Sequence, residues 1–189
     1  DKALAERVEE LSVMQRIDRE LNTSLDTSRT MRITLEWAMR QSGAAAGWVG
    51  MLRPEGLQIM ASQGYAGELE PYQEDFMPLD AFGLEDIAAS GQPLRRFVNE
   101  DSPALLSGAK SQIVLPIRRE AETSGLILLE SVHYELASDE TINFLVRLCD
   151  HASIAISNAQ LYAAVQAANV AKSVFVSFVA HELKNPMTS

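Results

Sequence analysis

The chain has 189 residues, 47% of them hydrophobic, and a formal net charge of -10 at pH 7. This length supports one hydrophobic core with extensions, and the negative charge argues against a surface that binds nucleic acid or an anionic membrane. The single cysteine, Cys149, excludes an internal disulfide and suits a reducing cytoplasm.

The pattern of apolar residues carries no signal for membrane insertion or secretion. No uninterrupted apolar run approaches membrane-spanning length, and the first residues do not form a secretory signal peptide. We therefore expect a cytoplasmic chain without a membrane segment. Because the sequence begins within a helical pattern, we also expect a fragment of a longer parent, whose membrane anchor, where it has one, lies outside this sequence.

Residues 1–23 predict an amphipathic helix, because apolar residues recur every three or four positions among charged ones. No partner for this apolar stripe lies nearby in sequence, which favours pairing of the helix in a coiled coil. The stripe consists of Leu4, Val8, Leu11, Met14, Ile17 and Leu21.

Residues 24–138 predict a compact domain in which helices and strands are separated by Gly and Pro turns. Asp26 offers a capping side chain for a helix that Gly43 closes. A tight turn joins the first two strands, and polar residues 119–124 join the last two. The order is helix, two strands, a helical excursion, three strands and a helix. Strands are predicted over residues 47–53, 57–61, 93–98, 112–118 and 125–132, and a short helix over residues 84–89.

Residues 139–172 predict a closing helix that continues as a linker, with no Gly or Pro before Pro186. Residues of one stripe alternate in steps of three and four, which is a heptad seam. Two copies paired in parallel along it would form a homodimer. The linker is then either a two-state signalling element or a passive stalk. The seam consists of Ile142, Leu145, Cys149, Ala152, Ile156, Ala159, Ala163 and Gln166.

Residues 173–189 surround a histidine whose neighbours predict phosphate chemistry. On a helix, His181 and Asn185 share a face one turn apart. Pro186 lacks an N–H and crowds the carbonyl of Glu182, so the helix should bend just beyond the histidine. The carboxylate of Glu182 can accept the Nδ1 proton in a hydrogen bond and leave Nε2 as the nucleophile. The alternative interpretation is an ordinary helix end closed by Lys and Pro.

This motif resembles the H-box of sensor histidine kinases, the start of their dimerisation and phosphoacceptor domain. Phe175 stands six residues ahead of His-Glu-Leu-Lys-Asn-Pro-Met-Thr. The resemblance implies that His181 takes the γ-phosphate of ATP and passes it to an aspartate of a response regulator. It also implies that Glu182 is the acid/base helper and that Asn185 positions water when the phosphate is removed.

ATP and Mg²⁺ would then belong to the parent kinase and not to this chain. The sequence contains no Gly-rich phosphate loop and no ATP-binding domain. We therefore expect the chain to be inactive alone and to hold no cofactor of its own.

The middle region is similar to a GAF domain over residues 24–158. The similarity lies in residues 21–26 with the following helix, in Gly47-Trp48-Val49, and in residues 111–117 and 125–128. It implies an α+β fold with a central antiparallel sheet of five or six strands. Terminal helices would cover one face, and a small-molecule cavity would lie under loops and short helices on the other. The long N- and C-terminal helices would form a parallel coiled-coil dimer. A PAS domain is the main structural competitor.

The ligand of such a cavity stays open. Residues 54–94 contain many Asp and Glu but no Lys or Arg, which favours an amine, a metal ion or a neutral molecule over an anion. A solvated acidic loop is the alternative. No metal-ligand spacing is found. Candidate pocket-lining residues, which could equally be ordinary core, are Tyr65, Phe76, Phe82 and Phe97.

We expect the sensory and signal-transmitting fragment of a two-component sensor histidine kinase, in which a GAF input acts through a helical linker on His181. Two alternatives stay open: a stand-alone small-molecule-binding GAF module, and a ligand-free GAF dimerisation module. The expected partners are a second copy of the chain, the ATP-binding domain of the parent, a response regulator and a small-molecule ligand, with no nucleic acid.

Overall fold

The structure is a computed structural model that describes residues 1–185. Pro186, and with it the predicted bend beyond His181, lies outside the described residues. The predicted order of elements is confirmed. The helices are α1 Lys2–Asn22, α2 Thr27–Ser42, α3 Glu85–Ser90 and α4 Asp139–Lys184, and the strands are β1 Ala46–Arg53, β2 Gly56–Gln63, β3 Leu94–Phe97, β4 Ser111–Arg119 and β5 Glu122–Ser131.

The strands form one five-stranded antiparallel sheet in the order β2-β1-β5-β4-β3, which confirms the predicted α+β fold. Strands β1, β4 and β5 are buried along most of their length. Continuous apolar strands are expected where both faces of a sheet are covered. Here α1, α2 and α4 cover one face, and a cover made of residues 64–93 and 98–110 lies over the other.

Helix α2 begins and ends where the sequence predicts. The Asp26 carboxylate accepts a hydrogen bond from the backbone N–H of Ser28 at 3.0 Å, which satisfies an N–H that the first turn cannot use. Gly43 closes the helix with φ of 66°, a left-handed conformation that glycine adopts without steric cost.

The connection between β4 and β5 is shorter than predicted. Only Glu120 and Ala121 separate the two strands, and Glu120 has φ of 58°. Residues 122–124 extend β5, where Glu122 pairs with Arg119. The prediction of a polar loop over residues 119–124 is therefore wrong. Exposed polar side chains are compatible with a strand whose backbone groups are paired.

Most residues of the predicted heptad seam of α4 pack inside their own chain. Its first six residues, from Ile142 to Ala159, are buried against the sheet, α1 and α2, whereas Ala163 and Gln166 are exposed. The same spacing of apolar residues serves a partner helix or the chain's own core. Over residues 142–159 this face of α4 is therefore not free to form an intermolecular seam.

The apolar stripe of α1 is divided in the same way. Met14, Ile17 and Leu21 are buried in the core, and the other members, Leu4, Val8 and Leu11, are 59–64% exposed. Two pairs align α1 in parallel beside the start of α4: Glu10 with Arg147, and Asp18 with His151 at 2.7 Å. The partners that the sequence did not reveal for α1 are therefore the closing helix and α2, whose Trp37 donates a hydrogen bond to Glu20 at 2.9 Å.

Within residues 1–185, α4 has the length and composition that a membrane-spanning helix needs. An 18-residue window of it has a mean hydropathy of 1.4 and is exposed. Polar residues interrupt this apolar stretch of α4, so the sequence shows no continuous apolar run of membrane-spanning length there.

We expect Leu145→Ala to lower the free energy of unfolding by about 2–5 kcal/mol, because Leu145 is fully buried within its own chain. The loss should be the same at all protein concentrations in chemical denaturation. Leu25→Ala is the matched control, because Leu25 is 51% exposed. A loss for Leu145→Ala that disappears when dilution dissociates the dimer would place this residue in an intermolecular seam instead.

Candidate functional site

The cover is attached to the sheet beside the β1–β2 hairpin. Leu57 and Met77 exchange backbone hydrogen bonds of 2.9 and 2.8 Å. Gly56 makes this approach possible: its φ is 142°, and a Cβ there would lie 2.7 Å from the Met77 carbonyl oxygen. The interior between sheet and cover is apolar and contains Trp48, Leu57, Leu69, Met77, Phe82, Leu84, Ile87, Val114, Leu126 and Leu128.

One carboxylate lies among these apolar side chains. Glu130 is 0% exposed, and its Oε1 accepts hydrogen bonds from the Tyr65 hydroxyl at 2.7 Å and from the backbone N–H groups of Leu105 and Leu106 at 3.2 and 3.3 Å. Its Oε2 lies 3.4 Å from the Gln112 side-chain nitrogen. A buried carboxylate needs such partners. Glu130 therefore binds both segments of the cover to the sheet.

Arg96 on β3 makes a second polar attachment. Its Nη1 and Nη2 donate to the carbonyl oxygens of Gly83 and Phe82, both at 2.7 Å, and its Nε donates to Gln112 Oε1 at 2.8 Å. Burial lowers the pKa of Arg96, and the charge of Glu130 opposes that shift. The Arg96 guanidinium thus links residues 82–83 of the cover to Gln112, which also contacts Glu130.

The phenol of Tyr65 is held in its protonated form. Burial raises its pKa from the usual value of 10.0, and the charge and hydrogen bond of Glu130 raise it further. A protonated phenol is the donor that the carboxylate requires.

One buried donor in this interior is unpaired. Within residues 1–185, Trp48 is 1% exposed and its indole nitrogen has no hydrogen-bond partner. Trp48 lies opposite Leu128 in the β1–β5 ladder, so it is a diagonal neighbour of Glu130 on the same face. A bound molecule with an acceptor could satisfy this N–H.

The structure brings together only part of the predicted pocket. Tyr65 packs on the apolar interior, and Phe82 belongs to it, with its ring edge-on to Tyr72 at 6.0 Å. Phe76 is partly buried beside Gly56. Phe97 lies apart from them on the edge strand, 47% exposed and 6.5 Å from the ring of Tyr134.

The acidic connection faces solvent. Most of its carboxylates between residues 55 and 86 are exposed. Among the described residues, no group of three or more His, Cys, Asp or Glu is arranged to hold a metal ion. The geometry therefore matches the solvated acidic loop, and the buried carboxylate is Glu130 instead.

Sequence reasoning missed Glu130, although a signal was available. Glu130 follows Leu126 and Leu128 at steps of two, so the alternation of a strand places it on their buried face. Its partner Tyr65 stands 65 residues away, which no local pattern connects with it.

His181 lies in the last turns of α4, exposed to solvent. The Asn185 side-chain nitrogen is 3.4 Å from His181 Nδ1, so the two residues share a face as predicted. An amide nitrogen donates, so in this arrangement Nδ1 is the acceptor and the proton of a neutral ring lies on Nε2. Attack by Nε2 requires the other tautomer.

Glu182 does not take the orienting contact that its position next to the histidine suggested. It is exposed, and neighbouring residues on a helix point in different directions, whereas residues four apart face each other. The partner of Nδ1 in the structure is Asn185. The acid/base role of Glu182 stays a prediction.

A GAF domain family model matches residues 24–157. A curated relative, the circadian input-output histidine kinase CikA of Synechocystis sp., is 28% identical over an alignment of 106 residues, and the match covers 42% of this chain. The matched part spans 14% of the length of that relative.

Solved structures share the fold at low sequence identity. The GAF domain of a phosphoenolpyruvate-protein phosphotransferase from Coxiella burnetii has a TM-score of 0.69 and 14% identity, covering 82% of this chain and 96% of its own. The GAF domain of a candidate sensor histidine kinase from Pseudomonas syringae pv. tomato has a TM-score of 0.63 and 17% identity, covering 88% and 97%.

We expect Tyr65→Phe to lower the free energy of unfolding by about 1.5–3 kcal/mol at neutral pH, since it removes a hydrogen bond to a buried carboxylate. Tyr134→Phe, at a tyrosine that is 70% exposed, should change it by less than about 0.5 kcal/mol. Chemical denaturation measures both. Equal effects would show that the bond between Tyr65 and Glu130 does not hold the cover.

The same tyrosine predicts a dependence on alkaline pH. Because the fold raises the pKa of Tyr65 above the usual 10.0, its contribution to stability is complete below that value. Above it the unfolded state loses the proton first, so stability should fall by up to about 1.4 kcal/mol per pH unit. Tyr65→Phe should flatten this part of the stability profile.

Proposed function

Because this chain belongs to the GAF domain family, we propose that it is the sensory and signal-transmitting portion of a two-component sensor histidine kinase. The observation that carries the proposal is the continuity of α4. This helix has 46 residues, begins in the GAF core, and carries His181 in its last turn. A change in the core therefore has an unbroken path to the proposed phosphoacceptor.

The kinase context rests on the motif around His181 more than on the fold. The relationship to CikA and the likeness to a candidate sensor kinase support it. Similar folds also occur in a phosphoenolpyruvate-protein phosphotransferase and in a methyl-accepting chemotaxis protein. The H-box resemblance, at the end of the helix that leaves the core, favours the kinase among these.

In the proposed reaction, the ATP-binding domain of the parent presents ATP and Mg²⁺ to His181. The imidazole Nε2 attacks the γ-phosphorus, a phosphorus–nitrogen bond forms, and ADP leaves. The phosphoryl group then passes to an aspartate of a response regulator. By the H-box resemblance Glu182 assists proton transfer and Asn185 positions water for dephosphorylation. His181 is exposed, as an acceptor in a separate domain's reaction must be.

A cytoplasmic homodimer completes the proposal, with its seam on a different face from the one the heptads predict. The predicted face is buried within the chain up to Ala159, so the globular part would obstruct a parallel partner there. Ile154, Leu161 and Val165 lie on the opposite face, at steps of seven and four, and are 54–61% exposed. Burial of this stripe against a second copy would remove exposed apolar area.

One observation favours the ligand-free alternative for the input. The interior between sheet and cover contains ten buried apolar side chains that pack in one cluster. A cavity of about 420 Å³ lies on the other face, beneath the linker before α4. In that alternative the GAF core serves dimerisation and needs no small molecule.

We expect His181→Gln to reduce acid-labile phosphate on this chain to background when a histidine kinase ATP-binding domain and radiolabelled ATP are added. His133→Gln, which changes an exposed histidine outside α4, should leave labelling at the wild-type level. Filter binding after acid and alkali treatment distinguishes phosphohistidine. Retained acid-labile label in His181→Gln would refute the assignment.

We expect Leu161→Glu to weaken self-association by ~100-fold or more, because a symmetric seam would bury two uncompensated carboxylates. Ala163→Glu is the matched control, since it places the same charge on the predicted seam only two residues away. Sedimentation equilibrium measures both dissociation constants. The reverse ranking would restore the seam to the heptad register.

A further inference from the structure

Strand β3 carries two adjacent arginines whose side chains serve opposite faces of the sheet. Arg96 reaches the cover, and Arg95 reaches the start of α4. Successive side chains of a strand point to opposite faces. We propose that this pair couples the cover to the first turn of α4. Only the last step, from α4 to phosphorylation of His181, rests on the proposed function.

The contacts of Arg95 fix the linker that precedes α4. Its Nη1 donates to the carbonyl oxygen of Ala137 at 2.7 Å, and its Nη2 lies 2.8 Å from the carboxylate of Asp139. Asp139 is 85% exposed, so solvent screens the ion pair and its own contribution is small. The bond to the Ala137 backbone is the contact that positions the chain entering the helix.

The first turn of α4 depends on this placement. The Ser138 side chain accepts a hydrogen bond from the Thr141 N–H at 3.2 Å, and the Ser138 carbonyl accepts from Ile142 at 3.0 Å. A displaced Ala137 would move the neighbouring cap Ser138 and weaken both bonds. The amides of Thr141 and Ile142 are therefore direct reporters of the linker position.

Strand β3 is suited to transmit a displacement. It has four residues and lies at the edge of the sheet, where among residues 1–185 it pairs with β4 on one side and with no strand on the other. An edge strand is held by hydrogen bonds on one side, so it shifts more easily than a central strand. Arg95 and Arg96 share a peptide bond, so a shift of the strand moves both guanidinium groups together.

Arg95 and Arg96 hold different parts of the molecule. Arg96 binds the carbonyl oxygens of Phe82 and Gly83 in the cover and connects through Gln112 to Glu130. Opening of the cover at residues 82–83 would therefore release Arg96 first. Loss of the Arg96 contacts with the cover frees β3 to move, and the bond of Arg95 to the Ala137 carbonyl transmits this movement to the linker before α4.

Amide hydrogen exchange on the complete 189-residue chain tests the coupling. We expect Arg96→Gln to speed exchange at residues 82–84 and also at Thr141 and Ile142, by about fivefold or more, the lower range of coupling between protein sites. With Arg95→Gln already present, adding Arg96→Gln should not change exchange at Thr141 and Ile142 further. Coupling through Arg95 predicts this loss of effect.

Arg53→Gln is the matched control, because Arg53 also binds a glutamine side chain, Gln58, but lies in the β1–β2 hairpin. It should leave Thr141 and Ile142 unchanged. The proposal is overturned when Arg96→Gln leaves these two amides at the wild-type rate. It is equally overturned when the effect persists in the Arg95→Gln background.

A second variant separates the proposed coupling from a general loss of stability. When Arg96→Gln speeds exchange throughout the sheet, Arg96→Lys replaces it, since lysine keeps the charge but cannot reach three acceptors with a planar fork. The same two outcomes then decide. Exchange needs no kinase activity, so failure of the coupling leaves the His181 assignment intact, and absent labelling of His181 leaves the coupling intact.

Discussion

The alternation of side chains along β5 divides the molecule into its two layers. This strand lies at the centre of the sheet. Ile127 and Leu129 face the helices, whereas Leu126, Leu128 and Glu130 face the cover. Because a single-residue shift in register would exchange the two faces, the pairing of β5 with β1 and β4 determines what every other element packs against.

The two layers are held by different forces. On the helix side, α2 and α4 pack on the sheet and α1 packs on these two helices, through apolar side chains that are almost fully buried, so no single contact there controls the packing. On the cover side, apolar packing is supplemented by Glu130, Arg96 and Gln112, which join short irregular segments to the strands. Segments held by few polar contacts open at lower cost than a packed helix layer. In the proposed function, the cover is the part that responds to the input and α4 is the part that reports it.

Helix α4 combines two roles along its length. Its first half completes the core, and its second half projects with exposed apolar side chains such as Leu161, Val165 and Phe178. In the proposed function, the buried end of α4 is the rigid attachment and the exposed apolar end is the surface for a second copy. The same exposed apolar side chains give α4 the composition of a membrane-spanning helix.

Local patterns in the sequence determined the elements, their order and the shared face of His181 and Asn185, since caps, turns and helical spacing act over a few residues. The Asp26 and Gly43 boundaries of α2 are the clearest case. Only the tertiary structure decided which partner each apolar stripe packs against, how Phe97 is separated from Tyr65 and Phe82, and how Glu130 is satisfied. Periodicity shows that a residue is buried but not what buries it, and the hydrogen bond of Glu130 to Tyr65 joins residues 65 positions apart. For the same reason the sequence predicted an intermolecular seam for α4, whereas the fold buries its first six residues, from Ile142 to Ala159, within the chain itself.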